Sequence, residues 1–135
     1  MSAKNDKRHG VAAVEFAIVA PVLITLVLGM IEVGRALMVQ QVLVNASREG
    51  ARTAVMEGAN VSAVKTYVQE YLADMSISVT QDKIAVAPDP STSANGTPIS
   101  VTLTVPYSDV NWLPVPQYVS GNLSASTSMR LERLD

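Results

Sequence analysis

The chain has 135 residues with no cysteine, so disulfides and thiolate metal sites are excluded, and it has room for one membrane segment and one small domain. Its net charge of −2 is unevenly spread. Lys4, Lys7 and Arg8 against Asp6 make the first ten residues basic and the remainder acidic, and nothing there offers the basic face that nucleic acid requires.

Residues 1–10 are short, polar and basic. They lack the capping and periodicity of a folded element, and they are expected to form a cytoplasmic leader. His9, the single histidine, has no companions for a metal site. A mostly apolar run follows from Val11 to Ile31, interrupted by Glu15 and Pro21. As a helix it would be about 30 Å long, enough to cross a hydrocarbon core. About a dozen strong membrane formers contribute roughly −4 to −7 kcal/mol to insertion. A carboxylate costs about 2.5–3.5 kcal/mol even at the bilayer centre. The segment is therefore expected to span a membrane. The basic cluster before it places the amino end inside and the larger part outside. Arg35, Arg48 and Arg52 on the far side are sparser and accompanied by Glu32 and Glu49. A cleaved secretory signal fits poorly, because the run is long and the small residue Ala20 is followed by Pro21.

Glu15 is the informative residue of the run. It either reaches headgroup water from one turn inside or has a partner within the membrane. Pro21 removes the amide that would bond the Ala17 carbonyl, so a helix kink is expected there.

The helical pattern continues past the apolar run. Ala36, Val39, Leu43, Ala46, Gly50 and Thr53 recur at spacings of three and four, a coiled-coil-like seam. Ala46, Gly50 and Ala54 form a small-residue line that permits close helix–helix packing. The seam serves another helix or the chain's own domain, or both. One helix is expected from Val11 to Glu57, ending at Gly58. Arg48 and Arg52 share a face at i, i+4, either solvated or bridging to another subunit.

Asn60 is placed to cap a second helix over residues 61–75, with Val61, Val64, Val68, Tyr71, Leu72 and Met75 as its apolar face. The period then changes to two. Ile77 and Val79, Ile84 and Val86, residues 99–107 and residues 123–131 alternate apolar with polar, as half-buried strands do. A flexible loop is expected over residues 88–98, with Asn95-Gly96 as a turn signal. A restricted connection begins at Trp112 and runs through Pro114 and Pro116. Trp112 is expected to fold back over the sheet edge; an interfacial anchor or a contact to another subunit are the other readings. The fold class is α+β: a long amino-terminal transmembrane and amphipathic helix, then a small domain of one further helix and an antiparallel sheet of three to four strands. The division expected is a leader over 1–10, a helix over 11–57 spanning the membrane at 11–31, and an extracytoplasmic domain over 58–135.

Several of these residues together resemble a known family. Gly10, four residues, then Glu15 and Phe16 after a basic leader resemble prepilin signals cut after the glycine by an inner-membrane aspartyl peptidase. With Pro21, then Glu32, Gly34 and Arg35, then Ala46, Arg48, Glu49, Gly50 and Arg52 in order, the stretch is similar to the TadE-like family of pseudopilins of bacterial tight-adherence (Tad, or Flp) pili. The resemblance implies cleavage between Gly10 and Val11, leaving Glu15 one helical turn from the new amino terminus. There the carboxylate would pair with the amino terminus of a neighbouring subunit in a helix array. Phe16 completes the processing and assembly signal. The implied partners are a prepilin peptidase, sister pseudopilins, other pilus assembly proteins and inner-membrane lipid. Neither nucleic acid nor a small-molecule substrate is expected, and neither cofactor nor metal. No catalytic constellation is found: His9 lies across the proposed membrane from the serines of the folded domain, and Asp74, Asp82, Asp89 and Asp109 are scattered at turns and helix ends. The second reading is an uncleaved single-pass anchor presenting a protein- or wall-binding domain.

Overall fold

The computed structural model describes residues 3–112 and 121–132. The expected connection beyond Trp112, through Pro114 and Pro116, lies outside them, as do Met1, Ser2 and the side chain of His9.

One helix, α1 (Ala3–Ala54), carries the amino-terminal half. It begins earlier than the change of composition at Gly10 suggested, so the basic leader is continuous with the apolar run. Ala3, Lys4, Lys7 and Arg8 are good helix formers, and Gly10 alone costs only about 1 kcal/mol against alanine. α1 runs through Pro21, where Thr25 Oγ1 donates to the Pro21 carbonyl at 2.8 Å. It ends at Ala54 rather than at Glu57, and the chain turns at Gly58, whose φ of +78° suits a residue without a Cβ.

Helix α2 (Val61–Asp74) starts as expected, with the Asn60 side chain accepting from the Ala63 amide at 2.9 Å. Val64, Val68 and Leu72 form its buried stripe, whereas Met75 lies exposed beyond the last turn. Ser76 takes the left-handed position (φ +59°), and the Ile77 amide returns to the Leu72 carbonyl, closing the helix.

Three antiparallel strands follow in the order β1 (Ile84–Ala87), β2 (Pro98–Pro106), β3 (Asn122–Arg130). The architecture is α+β. Register pairs Val101 with Val86 on one side and with Thr127 on the other. The alternation of β2 places Ile99, Val101, Leu103 and Val105 in the core, with Ser100, Thr102 and Thr104 on the outer face. There Thr102 and Ser126 hydroxyls meet across strands at 2.7 Å.

The alternation at Ile77 and Val79 does not make a strand. Both side chains are buried, but the Val79 carbonyl is taken by Gln69 Nε2 of α2 at 2.9 Å instead of by a neighbouring strand. Tyr107 also leaves the sheet and opens a short 3₁₀ turn over Tyr107–Asp109. The loop before β2 is more organised than its composition suggested. Asp89 Oδ1 accepts from the Ser91 amide and hydroxyl at 2.9 and 2.7 Å, and the Gly96 amide reaches the Leu131 carbonyl. These Ser91 contacts, the side chain's first, hold the Asp89 carboxyl below the usual carboxylate range.

The carboxyl-terminal half of α1 lies on this domain. Val39, Leu43, Ala46, Ala51 and Ala54 join Val64, Val68, Leu72 and the inner face of β2 in one core. Gln40 Nε2 donates to the Ser124 carbonyl of β3 at 2.9 Å, and Ser47 and Thr127 hydroxyls meet at 2.8 Å. Seven helical residues and three strand residues both advance about 10 Å, so α1 and β3 run side by side in the same direction.

Candidate functional site

Two regions of α1 bear on function, and each follows from which side of the helix the folded domain covers. From Val11 to Ile31 the domain leaves almost everything bare. Val11, Val14, Phe16, Ile18, Val19, Val22, Leu23, Ile24 and Leu26 are all exposed. A soluble monomer rarely leaves so long an apolar surface open. The helix is long and apolar enough to cross a membrane, and none of its most apolar stretch is buried among the described residues. That is compatible with a single-pass membrane protein.

The residues of the expected processing signal sit at the amino-terminal end of this bare stretch. Gly10, Val11 and Glu15 are exposed there, Glu15 one turn beyond Val11 on the same side. Phe16 beside them is 72 % exposed. The small-residue line lies at the opposite end and faces inward. Gly50 packs so closely that a Cβ would come within 2.6 Å of Val68 Cγ2 and 3.1 Å of Val101 Cγ1. Ala46 and Ala54 are fully buried in the same core. The structure thus gives these three residues a place against the chain's own α2 and sheet. Arg48 and Arg52 point away from it and are exposed.

Between the two regions lies a polar cluster that reading the sequence left without chemistry. Glu32 and Arg35, one turn apart where α1 meets the domain, are only 3 % and 6 % exposed. Arg35 Nε donates to the Val110 carbonyl at 3.1 Å, and its guanidinium lies 4.7 Å from the centre of the Trp112 ring. Tyr107, 2 % exposed, donates its hydroxyl to the Glu32 carbonyl at 3.0 Å. Burial first, and the Glu32 carboxylate second, push the Tyr107 hydroxyl up to about 12, with Arg35 pulling the other way. Glu32 Oε2 is buried and has no hydrogen-bond partner among the described residues. These contacts bolt the 3₁₀ turn and the residues after it onto α1 at the foot of the bare stretch. The available signal was two charges at i, i+3 on the same side as Ala36 and Val39. Trp112 does not fold over the sheet edge: it is 66 % exposed and lies beside α1 on Arg35.

Compared with known proteins, residues 10–52 match the family model described as TadE-like protein. The amino-terminal segment is similar to that family. The match covers the bare helix, the Glu32 and Arg35 turn and the small-residue line, and it stops just short of the end of α1; α2 and the sheet lie outside it. No curated protein and no solved structure matches the chain. Among the described residues no group of three or more histidine, aspartate or glutamate side chains is placed to hold a metal.

Proposed function

We infer that the chain takes part in Tad pilus assembly, a reading supported by the match of residues 10–52 to the TadE-like family model. We propose that it is a minor, pilin-like subunit of a bacterial Tad/Flp-type system, cleaved after Gly10 by a prepilin peptidase and assembled through its amino-terminal helix. In this reading it sits in the inner membrane as a single-pass protein, its amino end cytoplasmic and its folded domain periplasmic. It meets sister pseudopilins and supports pilus biogenesis, adhesion and surface colonisation. The observation that carries the reading is the bare apolar helix with Gly10, Glu15 and Phe16 at its inner end, inside the matched segment. A helix left uncovered by the other described residues obtains its cover from lipid and then, in a packed array, from neighbouring helices. Glu15, with no positive side chain on the next turns of the apolar run, then has the freed amino group of a neighbour as partner.

The test is the intact mass and amino-terminal sequence of the protein recovered from its native envelope. A chain starting at Val11, dependent on Gly10 and on the peptidase, supports the proposal. A chain still starting at Met1 or Ser2, without filament association, replaces it with an uncleaved anchor that presents a binding domain. Unchanged pilus formation and attachment after deletion of the gene would remove the assembly role.

A further inference from the structure

Trp112 is the single tryptophan of the chain, and its exposure beside α1 calls for an occupant. Its depth follows from the helix. Arg35 lies four residues past Ile31, about 6 Å along the axis. The headgroup layer extends about 5–7 Å beyond a hydrocarbon core of about 30 Å on each side. Long helical side chains lean toward the amino end, so the Arg35 guanidinium lies no farther out than that turn, with the Trp112 ring 4.7 Å from it. With α1 spanning the bilayer over 11–31, the ring is at headgroup depth. The apolar surface of α1 also continues past Ile31. Val33, Leu37 and Met38 are exposed, and polar side chains take over only at Gln40 and Gln41. The segment bearing Trp112 is held at that level, because Tyr107 is bonded to the Glu32 carbonyl and Arg35 to the Val110 carbonyl.

We infer that Trp112, packed on the Arg35 guanidinium, is an interfacial anchor that seats the folded domain on the bilayer surface from which α1 emerges. Its partner is the boundary between headgroups and acyl chains of a phospholipid leaflet. An amphipathic indole ring suits that boundary, with an apolar body for the chains and an N–H for the wet side. On the Arg35 side of α1, Ile31 and Met38 are exposed, and the Arg35 guanidinium that meets the Trp112 ring also reaches Met38 Sδ at 3.8 Å. Apolar surface thus leads from the membrane helix toward the ring and argues for lipid as occupant. The inference rests on the membrane-spanning reading of α1 and adds that the domain lies on the membrane rather than standing off it.

The test uses the full chain in vesicles of phosphatidylethanolamine and phosphatidylglycerol whose acyl chains carry bromine either near the glycerol or near the chain end. Trp112 emission should be lost chiefly to the shallow bromines and be little affected by aqueous iodide. A second form, Trp112→Phe with Leu23→Trp, reports on the membrane helix and should lose emission chiefly to the deep bromines. Trp112 quenched by iodide and not by bromine, with the Leu23→Trp reporter still quenched by lipid, overturns the anchor and leaves the spanning helix intact. Neither reporter quenched by lipid overturns both. Shielding of Trp112 from bromine and iodide alike also overturns the anchor, since protein would then cover the ring.

Discussion

Gly50 is where the packing of α1 on its own domain is most tightly determined, and Gly50→Ala tests it. In an unobstructed helix the change would stabilise by about 1 kcal/mol through backbone propensity. Here the new methyl would sit 2.6 Å from Val68 Cγ2 and 3.1 Å from Val101 Cγ1. Val68 is β-branched, fully buried and stiff at χ1, so α2 must move outward or the side chain must leave its rotamer. Overpacking of this kind costs about 1–3 kcal/mol, which leaves a net loss of about 0–2 kcal/mol. The single variant is therefore less decisive than its coupling to Val68→Ala. Val68→Ala alone opens a cavity and costs about 2 kcal/mol. In the double variant the new methyl enters the vacated space, so the pair should be more stable than the sum of the singles by about 1–3 kcal/mol. Pulse proteolysis across a urea series, with the full chain in mild detergent, measures all four forms. A stabilised Gly50→Ala with no coupling to Val68 would refute the close approach. It would leave the small-residue line available to other helices instead.

Three further outcomes are expected. Tyr107→Phe removes the hydrogen bond to the Glu32 carbonyl and should cost about 0.5–1.5 kcal/mol. Because the Tyr107 hydroxyl is raised to about 12 from an ordinary value near 10, the fold favours its neutral form. Its contribution is full below about pH 10 and is lost as pH rises through about 12, and in an ultraviolet titration the phenol ionising near pH 12 should be missing from Tyr107→Phe. Arg35→Lys keeps the charge but loses the Nε donor to the Val110 carbonyl and the flat face against Trp112, so limited proteolysis between Tyr107 and Trp112 should become faster. An unchanged cleavage rate would show that the turn is held without Arg35. Glu15→Ala and Glu15→Gln should both leave membrane insertion intact and abolish co-purification with sister subunits; full recovery with glutamine would exclude a charge pair as the register device.

Much of the candidate site was legible because it rests on local chemistry. A helix satisfies its own backbone bonds, so an apolar run of this length declares its membrane fitness residue by residue, whatever the rest of the chain does. The spacing of Gly10, Glu15 and Phe16 is likewise a property of consecutive residues. The Asn60 cap, the stripe of Val64, Val68 and Leu72 and the strict alternation of β2 were legible for the same reason. The amino-terminal limit of α1 was not, because a change from basic to apolar residues marks a change of solvent rather than an end of hydrogen bonding.

Tertiary structure decided what the sequence left with several answers. Ile77 and Val79 have strand-like alternation, but a ladder needs a partner strand, and Gln69 occupies the Val79 carbonyl instead. The seam from Ala36 to Thr53 is compatible with a neighbouring helix or with the chain's own sheet; only the arrival of α2 and β3 on that side buries Ala46, Gly50 and Ala54 within the domain. Glu32 and Arg35 look like ordinary charges at a membrane exit. Their burial depends on Tyr107 and Val110, which are more than seventy residues away in the chain, and no local pattern can encode that pairing. The long apolar helix was therefore set by composition along the chain, whereas the joint that holds the domain against it exists only once distant segments have packed.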